Sequence, residues 1–260
     1  MNLPENRFKA RLRAGIQQIG VWNGIPGPHV AEMLAASGFD WIVVDTEHAP
    51  AELSDALPAL QAIAAYPESA ALVRPAWNDP VLIKRALDLG AQTLMVPMVQ
   101  SPAEAEAAAR AMRYPPRGIR GVAGLHRASR YGMVADYITR AEEQLCLIVQ
   151  IETPEALDRL EEIAAVDGVD GVFFGPADLS ANMGHPGNQF HPEVVAAIEG
   201  GIARLSAMGV PAGILTLDEA FARRCMELGT LFTAVGVDFG LLTGAAHAAV
   251  TRFGPDRHVP

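Results

Sequence analysis

Lysine is scarce in this 260-residue chain: of its 20 lysine and arginine residues, only Lys9 and Lys84 are lysines. Schiff-base aldolases and pyridoxal-phosphate enzymes need a lysine nucleophile inside the site. Lys9 precedes the first apolar strand and Lys84 falls mid-helix, so no Schiff-base lysine and no PLP are expected. Cysteine is equally thin. Cys146 and Cys225 lie far apart in apolar segments, which reads as two reduced core thiols in a cytoplasmic protein. No Cys/His cluster has zinc spacing. No apolar run approaches the ~20 residues of a membrane span. The opening MNLPENRFKARLRAG has no apolar core, so no signal peptide is expected. Positive charge is in deficit, with a formal net charge of −10. Neither nucleic acid nor a membrane surface is an expected partner. G-x-G-x-x-G after the first strand, a P-loop and a G-x-S-x-G elbow are all missing, so no nucleotide cofactor and no serine hydrolase are implied.

What is present is alternation. Val/Ile-rich runs interleave with Ala/Leu-rich stretches of helical period. Strands are predicted at 17–23, 40–45, 70–74, 93–99, 145–151, 169–174, 211–215 and 231–237. Helices are predicted at 28–37, 51–65, 80–90, from Ser101-Pro102 onward, and at 134–144, 154–164, 192–207, 218–228 and 238–251. Asn78 or Asp79, and Thr216 or Asp218, are candidate helix caps. Residues 113–131 read as irregular. The strands are nearly continuous apolar runs, as in a parallel sheet buried on both faces. Eight strand–helix units in one chain of this length predict a single (β/α)8 TIM barrel spanning residues 1–260. An open doubly wound sheet is the rival.

In such a barrel, chemistry sits where strands end at their C-termini. Those ends carry Trp22-Asn23, Asp45, Glu47 and His48, Arg74, Pro97 to Gln100, Gln150 and Glu152, Gly175 to Asp178, Leu215-Thr216 and Asp238. Glu152 and Asp178 follow consecutive strands and become neighbours. Two adjacent carboxylates either hold a cation between them or cap the helices that follow. Oxygen-only ligands suit Mg²⁺ or Mn²⁺. Gln150 and Glu152 are two apart and face the same way. The turn at Ala177 and Asp178 presents free amides to an anion, or is an ordinary turn. His48 is either a surface residue or a group at the mouth. Arg74 ends a buried strand and needs an anion, either a substrate or Asp45 or Glu47. Asp88 reads as a plain helix residue.

The blocks FDWIVVDTEHAP, VRPAWNDPVLIKRALDLGAQTLMVPMV, RYPPRGIRGV, VQIETPEAL and GVDGVFFGPADLSANMG resemble the HpcH/HpaI aldolase family over about residues 5–254. The resemblance implies a metal-dependent (class II) pyruvate aldolase that cleaves 4-hydroxy-2-oxo acids to pyruvate and an aldehyde. It implies Glu152 and Asp178 as ligands of Mg²⁺, Mn²⁺ or Co²⁺, and Gln150 with the Ala177 and Asp178 amides as pyruvate-binding groups. Trp22 and Leu215 join them as substrate-binding residues. His48 matches the base, Arg74 the group that stabilises the enolate, and Asp88 an acid that raises the basicity of His48. A homohexamer, as a trimer of dimers with the last helix exchanged, is also implied. A sugar-acid aldolase of the same family and an oxaloacetate decarboxylase are the alternatives. The segment GVAGLHRASRYGM departs from the family's loop, and His126 is particular to this chain. Arg117, Arg120, Arg127 and Arg130 of the 113–131 loop either meet the far carboxylate of a substrate or pair with acidic neighbours.

Overall fold

The computed structural model describes residues 1–254. The chain runs α1 (Arg7–Arg13), β1 (Gln18–Asn23), α2 (Pro28–Ala36), β2 (Trp41–Asp45), α3 (Leu53–Ile63), β3 (Ala70–Arg74), α4 (Pro80–Asp88), β4 (Thr93–Val96) and α5 (Pro102–Met112). It continues through α6 (Tyr137–Arg140), β5 (Cys146–Ile151), α7 (Pro154–Asp158), α8 (Leu160–Ala164), β6 (Val169–Phe174), α9 (Pro176–Asn182) and α10 (Pro192–Met208). It ends with β7 (Ala212–Leu215), α11 (Glu219–Leu228), β8 (Thr230–Val237) and α12 (Asp238–Phe253). The eight strands close in sequence order, β8 pairing with β1, and every pair is parallel. The fold is the (β/α)8 barrel expected from the alternation.

Strand parity divides the core. Ile42, Val44, Val73, Leu94, Val149, Ile151, Val172 and Phe174 face the helices in one large cluster. Their neighbours Trp41, Val43, Leu72, Met95, Ile148, Phe173 and Phe232 fill the barrel interior in a second. The interior is tight enough to demand glycine: a Cβ on Gly20 would lie 2.1 Å from the Trp41 ring. The same parity continues to the strand ends. Trp22, Asp45, Arg74 and Gln150 are therefore in phase with the interior set and point into the mouth, not toward the helices.

Four local results differ from expectation. Residues 7–13 form α1, which the sequence reading left without structure. Phe8 and Leu12 of α1 are buried in the interior cluster, where Phe8 meets the Phe232 ring edge-on at 5.5 Å, so α1 plugs the end opposite the mouth. β4 stops at Val96, because Pro97 follows and Met98 takes a left-handed φ of 53°. Only Tyr137–Arg140 of the helix expected over 134–144 is α-helical, followed by a 3-10 turn. The helix expected over 154–164 is broken in two at Arg159. The capping alternatives resolve to Asp79, which accepts from the Val81 and Leu82 amides, and Asp218, which accepts from the Phe221 amide.

α12 behaves unlike the other long helices. Asp238 is its one buried residue. That carboxylate accepts from Asn23 Nδ2 and from the Gly24 and Ile25 amides, at 2.8–3.1 Å, and fixes the root of the helix to the loop after β1. Beyond the root, Phe239, Leu241, Leu242, Val250 and Phe253 are exposed. Ile19 of β1 and Val235 of β8, on the outer wall of the closing seam, are exposed as well.

Candidate active site

Arg74 is the centre of the mouth. Its Nε and Nη2 donate to the two oxygens of Asp45 at 2.8 and 2.6 Å, and its Nη1 pairs with Glu47 Oε2 at 2.9 Å. The guanidinium carbon lies over the Trp22 ring, 5.3 Å from its centroid. All of these side chains are buried or nearly so. Ionic pairing of Arg74 with Asp45 and Glu47 is thus realised, and it raises the Arg74 pKa against the effect of burial. A guanidinium carries five N–H donors, so the two hydrogen bonds to Asp45 leave donors on both terminal nitrogens for a ligand.

Glu152 follows β5 directly and is buried. Its Oε2 accepts the Met98 amide at 2.8 Å and its Oε1 accepts from Gln150 Nε2 at 3.2 Å. The left-handed turn at Met98, unusual for a side chain without special backbone tolerance, aims that amide at the carboxylate. Gly175 is required on the other side, since a Cβ there would sit 2.5 Å from Glu152 Oε1. Burial, and then the neighbouring Asp178 and Glu47 carboxylates, push Glu152 up to about 7 against the opposing pull of the Met98 amide and Arg74. Burial also raises Glu47, with Arg74 and His48 opposing. Glu47, Glu152 and Asp178 thus form one electrostatic cluster of acids, partly countered by Arg74.

Asp178 lies in the first turn of α9, whose N-cap is Gly175 and which no side chain caps. Among the described residues, no hydrogen bond reaches the Asp178 carboxylate, so the capping alternative for Asp178 is not what the structure shows. Ala177 and Asp178 are exposed at the mouth. Gln150 is buried and its Oε1 has no partner. Leu215 ends β7 half-buried and in phase with the interior. His48 is largely exposed, and its nearest acid is Glu47, with Nε2 3.8 Å from Oε1.

Asp88 lies apart from His48 in this chain. It accepts from Arg120 Nη2 at 2.7 Å and stands 3.7 Å from His126 Nε2. Arg120 is fully buried over the Tyr114 ring, 4.5 Å from its centroid. Arg117 pairs with Glu142 and Asp167, and Arg127 donates to the Leu89 carbonyl. Arg120 and Arg117 thus pair with acidic neighbours, whereas Arg127 bonds a backbone carbonyl. The sequence reading gave no functional role to Glu47 or Met98. The Asp-x-Glu-His block carries a signal for Glu47; a left-handed Met98 has none.

The set has what a divalent cation needs: two carboxylates on adjacent strand ends, one held ionisable only at a cost, and an unpartnered buried amide oxygen beside them. The HpcH/HpaI aldolase/citrate lyase family profile matches residues 18–245. A pyruvate aldolase from Rhizobium etli is 60% identical over 253 residues, covering 97% of this chain and 99% of the relative. A 4-hydroxy-2-oxo-heptane-1,7-dioate aldolase from Escherichia coli is 56% identical over 251 residues, covering 96% of this chain and 95% of the relative. The crystal structure of a family protein from Burkholderia cenocepacia superposes with a TM-score of 0.92 at 41% identity, covering 95% of this chain and 98% of that one. The chain belongs to the HpcH/HpaI aldolase/citrate lyase family and is a carbon–carbon lyase.

Proposed function

We propose that the chain is a class II pyruvate aldolase. It reversibly cleaves 4-hydroxy-2-oxo acids, such as 4-hydroxy-2-oxoheptanedioate, to pyruvate and an aldehyde such as succinate semialdehyde. The observation that carries this reading is the buried Glu152 carboxyl, pushed up to about 7 beside Asp178 and Glu47. Such a cluster is costly without a cation and favourable with one. Glu152 and Asp178 would hold a divalent ion (Mg²⁺, Mn²⁺ or Co²⁺), which supplies Lewis-acid stabilisation of the developing enolate charge. No PLP, nucleotide or Schiff base enters the scheme.

The chain's own groups do the rest. The free Ala177 and Asp178 amides and the Gln150 side chain receive the carboxylate of the 2-oxo acid. Trp22 and Leu215 wall the pocket. His48 accepts the C4 hydroxyl proton, the C3–C4 bond breaks, and its electrons enter the pyruvate enolate as the aldehyde leaves. The spare N–H groups of Arg74 face the enolate oxygen. The resemblance gives Asp88 the role of raising the basicity of His48; within one chain Asp88 instead accepts from Arg120, so that role would require a contact between subunits.

The same reading proposes a cytoplasmic homohexamer, as a trimer of dimers, with α12 exchanged. The bare seam at Ile19 and Val235 and the exposed apolar residues of α12 support the exchange. Neither nucleic acid nor membrane is a proposed partner. Among the described residues, no helix is long and apolar enough to cross a membrane. The test is exchange of pyruvate methyl protons in D₂O, followed by NMR, on chelator-treated protein with and without Mg²⁺, Mn²⁺ or Co²⁺. Metal-dependent exchange is expected. Folded protein that exchanges nothing with any of the three ions refutes the proposal. An aldehyde panel then separates the heptanedioate from sugar-acid substrates.

A further inference from the structure

We infer a second metal site, outside the barrel mouth, formed by His185 and His191 of the segment that joins α9 to α10 and by Glu193 in the first turn of α10. One donor atom from each of the three residues lies within 4.8 Å of the others. The site takes a borderline divalent transition ion of the Zn²⁺ class. The two imidazoles are stacked, with ring centroids 3.5 Å apart and planes 15° from parallel. His185 Nε2 already contacts Glu193 Oε2 at 3.0 Å. Imidazole lone pairs lie in the ring planes, so binding one ion requires the stacked rings to tilt toward each other, and the carboxylate supplies the negative charge a dication requires.

The backbone holds this arrangement. The His185 amide donates to the Ser180 carbonyl at 2.8 Å, closing the end of α9. The Asn188 amide donates to the His185 carbonyl and the His191 amide to the Asn188 carbonyl, both at 3.0 Å. His191 is the N-cap of α10, and its Nδ1 accepts the Glu193 amide at 3.3 Å. That contact is long, and metal ligation exchanges it for a dative bond. Donors around a tetrahedral Zn²⁺ stand about 3.3–3.5 Å apart. His185 Nε2 and Glu193 Oε2 already stand near that separation, so ligation asks chiefly that the half-buried His191 ring reorient.

Donor chemistry separates the two sites. Imidazole-rich sites prefer Zn²⁺, Ni²⁺ or Cu²⁺, whereas oxygen-only sites accept Mg²⁺ and Mn²⁺. Three protein ligands leave a fourth position for water. A bound ion cross-links the end of α9 to the start of α10. α9 also carries Ala177 and Asp178 at its other end, so the ion stiffens the segment behind the mouth without touching it.

The test uses untagged, chelator-treated protein carrying Glu152→Ala, which removes a carboxylate of the mouth. Zn²⁺ binding is measured by calorimetry, and the thermal midpoint is followed in parallel. One Zn²⁺ equivalent and a raised midpoint are expected. Adding His185→Ala, or separately Glu193→Gln, is expected to weaken that binding at least tenfold and to abolish the rise. In the otherwise native chain, His185→Ala is expected to leave Mg²⁺-dependent pyruvate exchange unchanged. Zn²⁺ binding that is the same with and without both substitutions overturns the assignment, as does a Glu152→Ala protein that binds no Zn²⁺. Either result reduces the cluster to a loop-stapling ion pair and leaves the aldolase reading untouched.

Discussion

Glu152→Gln is expected to stabilise the metal-free protein at neutral pH while abolishing its chemistry. The Glu152 carboxyl moves from an ordinary 4.5 to about 7 in the folded chain, chiefly through burial. A raised carboxyl binds more protons folded than unfolded between those values. Stability therefore falls as pH rises through that window. At about 1.36 kcal/mol per pH unit, the full penalty is about 3 kcal/mol above pH 7, and below about 1 kcal/mol at pH 5. Glutamine has the same shape, keeps an oxygen for the Met98 amide, and removes the charge facing Asp178 and Glu47. The variant should gain about 2–3 kcal/mol more over the native chain at pH 8 than at pH 5. Urea unfolding of chelator-treated proteins, read by tryptophan fluorescence, measures this. A gain that does not vary with pH, or a loss at pH 8, refutes the electrostatic account of the mouth. The same variant should show no metal-dependent pyruvate exchange.

Arg74→Lys keeps one charge beside Asp45 and Glu47 but loses the fork that binds both, and turnover should fall on the order of 10²–10³-fold; steady-state kinetics checks it, and near-native turnover removes Arg74 from the mechanism. Gly175→Ala pushes a methyl group against Glu152 and should weaken divalent-ion binding at least about tenfold with the circular dichroism spectrum unchanged; calorimetric titration with Mn²⁺ reads it. Asp238→Ala strips the Asn23, Gly24 and Ile25 donors of their acceptor and should cost about 2–4 kcal/mol in urea unfolding. Leu242→Glu places a charge on the apolar face of α12 and should shift the proposed assembly toward smaller species in sedimentation velocity.

The barrel was legible because one rule governs it throughout. Parity along each strand separates Trp41, Val43 and Asp45 from Ile42 and Val44, and the pattern is written in residue types. Arg74, Gln150, Glu152 and Asp178 followed because polar residues at the ends of apolar strands are conspicuous. α1 escaped because RFKARLR is rich in charge, and its helix is selected by the hole that Phe8 and Leu12 fill. The early end of β4 and the Met98 turn escaped because a left-handed φ on a non-glycine residue is imposed by its surroundings. Glu47 was visible in the Asp-x-Glu-His block, but its closeness to Glu152 and Asp178 depends on the closed barrel. Asp88 shows the reverse limit. The family resemblance proposed a role that the contacts within one chain do not display.

The bare seam between β8 and β1 carries a consequence for how the protein matures. Most outward-facing strand residues are covered by helices of the same chain, but Ile19 and Val235 are left to solvent while α12 extends outward from its Asp238 root. The newly made chain can thus close its barrel and still hold two sticky surfaces. If the proposed exchange of α12 completes the fold, completion is a second-order event, slow when the chain is dilute and fast when it is abundant. The melting temperature should then climb with protein concentration, as it does for any fold finished by mass action.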